Sequence, residues 1–245
     1  TDTQVEDPAV GVTDEDRDFI LANANALLDL DPPLTRASII AERVGVRPLA
    51  IRGEGGEADW VALSRKHVIE VDEANRHLSI FGGKLTDCLN VGDEVAEHVE
   101  RLGVAVPAPR NKWYGEPGVD LRDEFYLQAQ LMDLDALTHH SSSEPLSERF
   151  WRRYGESAFG LLERIREDES CAQLLIENAE YTRCEIELAA RREMIVKLED
   201  FMGRRSKIEL VVRREELARA PGLLEACEIL FAEQAEERLR EYLRR

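Results

Sequence analysis

Apolar side chains recur three or four residues apart over residues 13–30, which predicts an amphipathic helix. These side chains are Ile20, Leu21, Ala24, Leu27 and Leu28. Thr13 can cap the helix, and the acidic residues at 14–16 lie in its first turn, where the helix dipole favours negative charge. We expect the helix to end before Pro32 and Pro33, because proline cannot continue it.

Further along, β-branched residues replace the helical spacing. Residues 37–49 are predicted to form one or two short strands, and a hairpin is predicted with arms at His67–Val71 and His77–Phe81. The second arm runs through Gly82 and Gly83 into a helix predicted from about Thr86 to Leu102, with valines four residues apart. This strand, glycine pair and helix form the most informative local pattern in the sequence.

After residue 103 prolines and glycines are frequent, and beyond them the pattern is almost entirely helical. Long helices are predicted at 147–167, 181–204 and 223–243. The predicted fold class is therefore α+β, with a mixed α/β unit followed by an all-α C-terminal domain. We expect domains at 1–105 and 121–245 with a linker at 106–120, and the excess negative charge, concentrated before residue 146, agrees with two units.

Composition narrows the function classes. The 245 residues carry a net charge of −18, which argues against a general nucleic-acid binder. Hydrophobic residues make up 43% of the chain, which is too many for a wholly disordered protein. No apolar run approaches the roughly 18 residues of a membrane span. The N-terminus is acidic and polar, unlike a signal peptide, and it lacks an initiator methionine, so a fragment is expected.

The four cysteines fit neither a zinc motif nor a redox pair, and they predict reduced thiols in a cytoplasmic protein. They are Cys88, Cys171, Cys184 and Cys227. The histidines show no metal-ligand spacing, so no metal site is expected. His67, His77 and His98 are interpreted as surface or hydrogen-bonded histidines.

Three cations are candidates for anion binding. Gly82 and Gly83 let a ligand approach the backbone closely, a helix start follows, and Lys84 adds a positive charge. Arg47 lies within an apolar segment, and Arg65 precedes the first arm of the hairpin. A structural ion pair for Arg47, a solvated Arg65 and a surface Lys84 remain alternatives. Together the three would suit a small dianion such as a phosphate monoester.

The order of these elements resembles the FAD-dependent glycerol-3-phosphate dehydrogenase family. The matching segments run from Thr1-Asp2-Thr3 through Gly45–Leu49, Ser64–His67 and Gly82–Thr86 to Arg153-Tyr154-Gly155, Glu185, Arg192-Glu193 and Leu198–Arg205. The sequence has no dinucleotide-binding fingerprint, so it resembles the C-terminal half of that family. This implies the end of an FAD and substrate region, then the helical C-terminal domain, and we expect the fragment alone not to hold FAD tightly.

The resemblance also implies roles for individual residues. Arg47 and Arg65 would bind the phosphate of glycerol 3-phosphate, and Lys84 would be catalytic, near substrate and flavin. The residues expected to contact FAD are Gly82, Gly83, Lys84, Leu85 and Thr86. The implied reaction moves a hydride from C2 of glycerol 3-phosphate to flavin N5 and yields dihydroxyacetone phosphate, with the helix start at Thr86 stabilising negative charge on the flavin.

Partners and location are implied by the same resemblance. A quinone is the expected electron acceptor, with oxygen as the alternative. The protein is expected in the cytoplasm, with peripheral attachment to the inner face of the membrane and a homodimer as further expectations. One departure stands out: Asp87-Cys88-Leu89 replaces the family's Thr-Tyr-Arg, which adds an acid and removes an arginine.

Two alternative functions remain open. One is a related FAD-dependent oxidoreductase that acts on another hydroxy or amino substrate. The other is a non-enzymatic helical interaction module.

Overall fold

The computed structural model describes residue 7 and residues 9–46, 67–107 and 117–244. The chain divides into two compact units. We call Thr1–Val12 with Val44–Tyr114 the hairpin unit, and Thr13–Arg43 with Gly115–Arg245 the helical unit. Residues 13–43 therefore group with the C-terminal helices, whereas the sequence placed them in the first domain. The assignment of residues 1–105 to flavin and substrate binding stays a prediction.

The hairpin unit contains the predicted antiparallel hairpin. Strand β1 (His67–Asp72) pairs with β2 (His77–Gly82), in a register that runs from His67 opposite Gly82 to Asp72 opposite His77. A 3-10 turn at Leu85–Asp87 then leads into helix α2 (Cys88–Arg101). The predicted hairpin and helix are thus confirmed to within two residues at each end. None of the described residues of this unit is fully buried.

The strands predicted at residues 37–49 are wrong as far as the structure describes them. A 3-10 turn lies at Arg36–Ser38, and residues 37–46 contain no strand. The Arg213 guanidinium donates hydrogen bonds to the carbonyl oxygens of Ala37 at 2.8 Å and Ile39 at 3.2 Å. A side chain therefore satisfies acceptors that a neighbouring strand would have used. Residues 47–49 lie outside the described residues.

The helical unit begins with helix α1 (Asp14–Leu27), and Thr13 and Asp16 form the capping box at its start. Its remaining helices in the described residues are α3 (Val119–Leu131), α4 (Leu146–Tyr154), α5 (Ala158–Glu167), α6 (Arg183–Arg192), α7 (Arg214–Leu217), α8 (Gly222–Phe231) and α9 (Ala235–Leu243). The only pairing of strand type in the described part of this unit is an isolated bridge between Leu174 and Thr182. The predicted helical domain is therefore confirmed.

Each of the three long helices predicted for this unit is interrupted. Gly155 (φ +51°) separates α4 from α5, and Ala232 (φ +49°) separates α8 from α9. Helix α6 ends at Arg192, and a π-helical turn follows at Asp200–Arg205. A residue with positive φ cannot continue a right-handed helix. The apolar periodicity continues past the first two breaks because the helices on both sides pack into the same core.

Two hydrophobic clusters fill the described part of the helical unit. One lies among α3, α4 and α5, and the other among α6, the π-helical turn, α8 and α9. The most deeply buried members are Phe125, Leu134, Phe150, Ala158, Leu162 and Cys171 in the first cluster, and Phe201, Met202, Ala226 and Cys227 in the second. The predicted partial α/β flavin unit is not confirmed, because the sheet in the described residues has only two strands.

Within the described residues no helix is both long and apolar enough to cross a membrane.

Candidate functional site

The strand, glycine pair and helix predicted from the sequence form a turn from Gly82 to Asp87, which we call the glycine turn. Gly82 has φ +66° and Gly83 has φ +82°, a conformation that favours glycine. A Cβ atom on Gly83 would lie 3.0 Å from the Cβ of His67. At Gly82 and Gly83 the chain therefore has no side chains, so a ligand can approach the backbone closely there.

Lys84 and Leu85 extend from this bare backbone. Lys84 is exposed, and its side chain makes no ion pair or hydrogen bond with the described residues. Leu85 is 91% exposed, which is unusual for a large apolar side chain. The turn thus presents an uncommitted cation beside an apolar side chain, a combination that suits an anionic ligand with an apolar portion.

Asp87 ends the glycine turn, and the structure accounts for its charge. Its carboxylate accepts a hydrogen bond from Asn90 Nδ2 at 2.6 Å and lies 2.9 Å from His67 Nδ1. The bond from Asn90, followed by the one from His67, lowers the pKa of the Asp87 carboxyl. Asp87, the acid that departs from the family pattern, is thus bound by two side chains of its own unit. The sequence placed the helix start at Thr86, but α2 begins at Cys88, after Asp87.

His67 is the functional candidate that sequence reasoning missed. Its Nε2 atom lies 2.6 Å from the Glu94 carboxylate, in addition to its contact with Asp87. Its side chain is only 14% exposed. The only sequence signal for His67 was its position in the Ser64–His67 segment of the family resemblance. Its partners, Asp87 and Glu94, lie 20 and 27 residues away in sequence, so no local pattern indicates them.

The other two cations of the predicted basic pocket, Arg47 and Arg65, lie outside the described residues. The convergence of Arg47, Arg65 and Lys84 on one phosphate therefore stays a prediction.

Two of the helical motifs that carry the family resemblance, Arg153-Tyr154-Gly155 and Glu185, meet at one buried carboxylate. The side chain of Glu185 has no exposed surface and lies 2.8 Å from Arg153 Nη1 and 3.8 Å from Arg149 Nη2. Tyr154 donates its hydroxyl to Glu185 at 3.1 Å, and the Thr182 backbone N–H donates to it at 2.8 Å. Burial raises the pKa of the Tyr154 hydroxyl, with the Glu185 charge as the next cause. The cluster joins α4 to the start of α6.

The motif at Leu198–Arg205 is also structural. Asp200 accepts hydrogen bonds from the backbone N–H groups of Val196 at 3.1 Å and Lys197 at 2.9 Å. These bonds, that from Lys197 first, lower the pKa of the Asp200 carboxyl. Arg204 pairs with the same carboxylate. The acid and arginine of this motif therefore fix the π-helical turn.

The remaining candidates offer little chemistry. A groove of about 530 Å³ lies between α5 and α6, and Arg164 on its wall is paired with Glu187 at 2.9 Å. Burial raises the pKa of the Cys184 thiol, which lines the groove, to about 12, and this disfavours the reactive thiolate. All four cysteines are free. No group of side chains suited to a metal ion occurs among the described residues.

The helical unit matches a known domain. Residues 124–237 match the family model of the C-terminal domain of alpha-glycerophosphate oxidase. These residues belong to that domain family. The resemblance to the glycerol-3-phosphate dehydrogenase family is therefore confirmed for the C-terminal region.

Curated relatives of this glycerophosphate oxidase and dehydrogenase family extend the match. Glycerol-3-phosphate dehydrogenase 2 of Mycobacterium tuberculosis is 30% identical over 201 residues, which cover 81% of this chain and 32% of the relative. Glycerol-3-phosphate dehydrogenase of Synechocystis is 25% identical over 206 residues, or 82% of this chain and 36% of the relative. The mitochondrial enzyme of Mesocricetus auratus is 32% identical over 85 residues. The chain thus spans about a third of the length of the first two relatives.

Proposed function

We propose that the chain is the C-terminal portion of an FAD-dependent glycerol-3-phosphate dehydrogenase, which oxidises sn-glycerol 3-phosphate to dihydroxyacetone phosphate. The observation that carries the proposal is the uncommitted Lys84 on a bare glycine turn with positive φ at Gly82 and Gly83. Relatives named glycerol-3-phosphate dehydrogenase over about four fifths of the chain support the same substrate.

The glycine turn fits the edge of a flavin ring. Gly82 and Gly83 have no side chains to obstruct a planar ring, and the exposed Leu85 offers an apolar surface beside it. Thr86 is also exposed and adds a hydroxyl group. When bound, FAD would supply the acceptor for a hydride. The adenosine half of FAD requires a fingerprint that this sequence lacks, so these residues would contact only the flavin end.

The residues of this chain would bind and orient the substrate. We assign the phosphate to Arg47 and Arg65, because a guanidinium can donate two parallel hydrogen bonds to phosphate oxygens. Lys84 would hold the reacting end of the substrate in place. Because Asp87 is bound to His67 and Asn90, its carboxylate would repel the substrate phosphate less than an unpaired acid would.

The electron acceptor, location and assembly are proposed on the family resemblance alone. We propose a quinone as acceptor, a cytoplasmic protein attached peripherally to the inner face of the membrane, and a homodimer. Membrane fractionation and sedimentation of the native protein would test the last two.

The first experiment uses the protein encoded by the complete gene. We expect it to be purified yellow, and its flavin absorbance should bleach when sn-glycerol 3-phosphate is added without oxygen. Dihydroxyacetone phosphate should appear in an amount equal to that of the reduced flavin. Glycerol without the phosphate is the control and should leave the absorbance unchanged. A flavin bleached by a different alcohol or amine, and not by glycerol 3-phosphate, would contradict the proposed substrate.

Variants then test the assigned residues. We expect Arg47→Lys and Arg65→Lys to lower kcat/KM about tenfold to a hundredfold, because each loses a charge-assisted hydrogen bond of about 1.5–3 kcal/mol. Lys84→Met should lower kcat as well. Lys207→Met, at an exposed lysine of the helical unit, is the matched control and should not change the kinetics. Equal kinetics for Lys84→Met and Lys207→Met would remove Lys84 from the site.

A further inference from the structure

His67 is tied to both ends of the glycine turn. Its backbone pairs with Gly82 in the hairpin register, and its Cβ lies 3.0 Å from the position of a Cβ on Gly83. Its Nδ1 atom lies 2.9 Å from the Asp87 carboxylate at the other end. Lys84 lies between these two attachments. The place of Lys84 therefore depends on one residue of the neighbouring strand.

The second ring nitrogen of His67 connects the turn to α2. Nε2 lies 2.6 Å from the carboxylate of Glu94, which is six residues beyond the start of α2. Three elements, β1, the glycine turn and α2, thus meet at one imidazole ring. Asn90 steadies the arrangement from α2, since its amide donates to Asp87 at 2.6 Å.

The arrangement requires the charged form of the histidine. An imidazolium donates from both ring nitrogens, whereas a neutral imidazole has one donor and one acceptor. With two carboxylates as partners, the neutral ring would turn a lone pair toward one of them and lose that hydrogen bond. Deprotonation would therefore release either Asp87 or Glu94.

The surroundings of the ring favour the charged form. Among the residues that the structure describes, the charged groups that face it are Asp87 from the turn and Glu94 from α2, and β2 brings Gly82, which has no side chain. The bond to Glu94 first, and then the bond to Asp87, raise the pKa of His67 above its ordinary value. Both bonds are therefore present together at pH values below the ordinary pKa of histidine, and one of the two is lost as the pH rises through the raised pKa.

We infer that His67 is a positioning residue for Lys84: bonded to Asp87 and Glu94, it fixes both ends of the glycine turn and makes the orientation of Lys84 depend on pH. The inference rests on the proposed function insofar as Lys84 contacts substrate. In this inference Asp87, which departs from the family pattern, serves as a hydrogen-bond partner of His67.

The first test measures the turn itself. In this chain of 245 residues, NMR should show the amide resonances of Gly82 and Gly83 shifting with the same apparent pKa as the His67 ring. In His67→Gln these amide shifts should vanish, because glutamine does not titrate. His77→Gln, at the start of β2, is the matched control and should retain them. Amide resonances that ignore the titration of His67 in the wild-type chain would overturn the inference.

The second test uses the protein encoded by the complete gene. With glycerol 3-phosphate, kcat should fall as the pH rises through the raised pKa of His67, and His67→Gln should lower kcat about tenfold and flatten this pH profile. Asp87→Asn, which keeps the size of the side chain, should move the profile to lower pH and serves if His67→Gln fails to fold. A normally folded His67→Gln with wild-type kcat and pH profile would overturn the inference.

The two tests separate the two proposals. A glycine turn that follows His67 in a protein inactive with glycerol 3-phosphate would contradict the proposed function and leave the positioning of the turn intact. Oxidation of glycerol 3-phosphate with no dependence on His67 would support the proposed function and contradict the positioning role of His67.

Discussion

The helical unit and the hairpin unit differ in how far their side chains are buried. In the helical unit a carboxylate with no exposed surface, Glu185, is held between two arginines, and two apolar clusters are filled. The described residues of the hairpin unit include none that is fully buried, and Leu85 is 91% exposed. The first unit has the features of a self-sufficient core, whereas the second presents its groups outward.

This contrast separates two meanings of a family motif. The motifs at Arg153-Tyr154-Gly155, Glu185 and Leu198–Arg205 make the relationship recognisable, yet their side chains bind one another. The glycine turn contains a lysine that binds none of the described residues. Motifs of the first kind identify the fold, and only motifs of the second kind offer chemistry to a ligand.

The largest predicted effect is on the buried ion cluster. We expect Glu185→Gln to lower the free energy of unfolding by about 3–5 kcal/mol, because it leaves the buried Arg149 and the partly buried Arg153 with less compensating charge. Glu163→Gln, at the exposed pair with Arg166, is the control and should cost about 1 kcal/mol or less. Urea unfolding followed by circular dichroism measures both. Equal losses would mean that the helical unit does not depend on this cluster.

The next prediction concerns packing at the start of α8. A Cβ atom on Gly222 would lie 1.7 Å from the backbone oxygen of Leu175, so Gly222→Ala should destabilise the protein by about 3 kcal/mol. A Cβ on Gly160, within α5, meets nothing within 4 Å. Gly160→Ala should therefore stabilise the protein by about 0.5–1 kcal/mol. A Gly222→Ala variant as stable as the wild-type chain would contradict the close packing.

The smallest predicted effect lies in the hairpin unit. Leu85→Ala should change the free energy of unfolding by less than about 0.5 kcal/mol, because the side chain is already in solvent. The same substitution at Leu162, which has no exposed surface, should cost about 2–5 kcal/mol. A comparable loss at Leu85 would show that the glycine turn also serves stability, and the contrast between the units would fail.

Local patterns were sufficient for elements whose determinants lie close together in sequence. The capping box of α1 joins Thr13 to Asp16, three residues on, and the hairpin register follows from two arms joined by a short turn. The prediction failed where a distant side chain intervened. The segment at 37–46 has the composition of a strand, but Arg213 occupies two of its carbonyl oxygens. Propensity is a weak guide when a partner from elsewhere satisfies the backbone.

By itself, the sequence determined the order of helices and hairpin, the glycine pair before Lys84 and the relationship to the glycerol-3-phosphate dehydrogenases. Those properties depend on residue type and on spacings of a few positions. Only the tertiary structure decided where the long helices break, that Glu185 is enclosed by arginines, and that Asp87 is bound to His67. These contacts join residues that are 20 or more positions apart, as with His67 and Asp87 or Arg153 and Glu185. No periodic pattern carries them, because they exist only once the elements have packed.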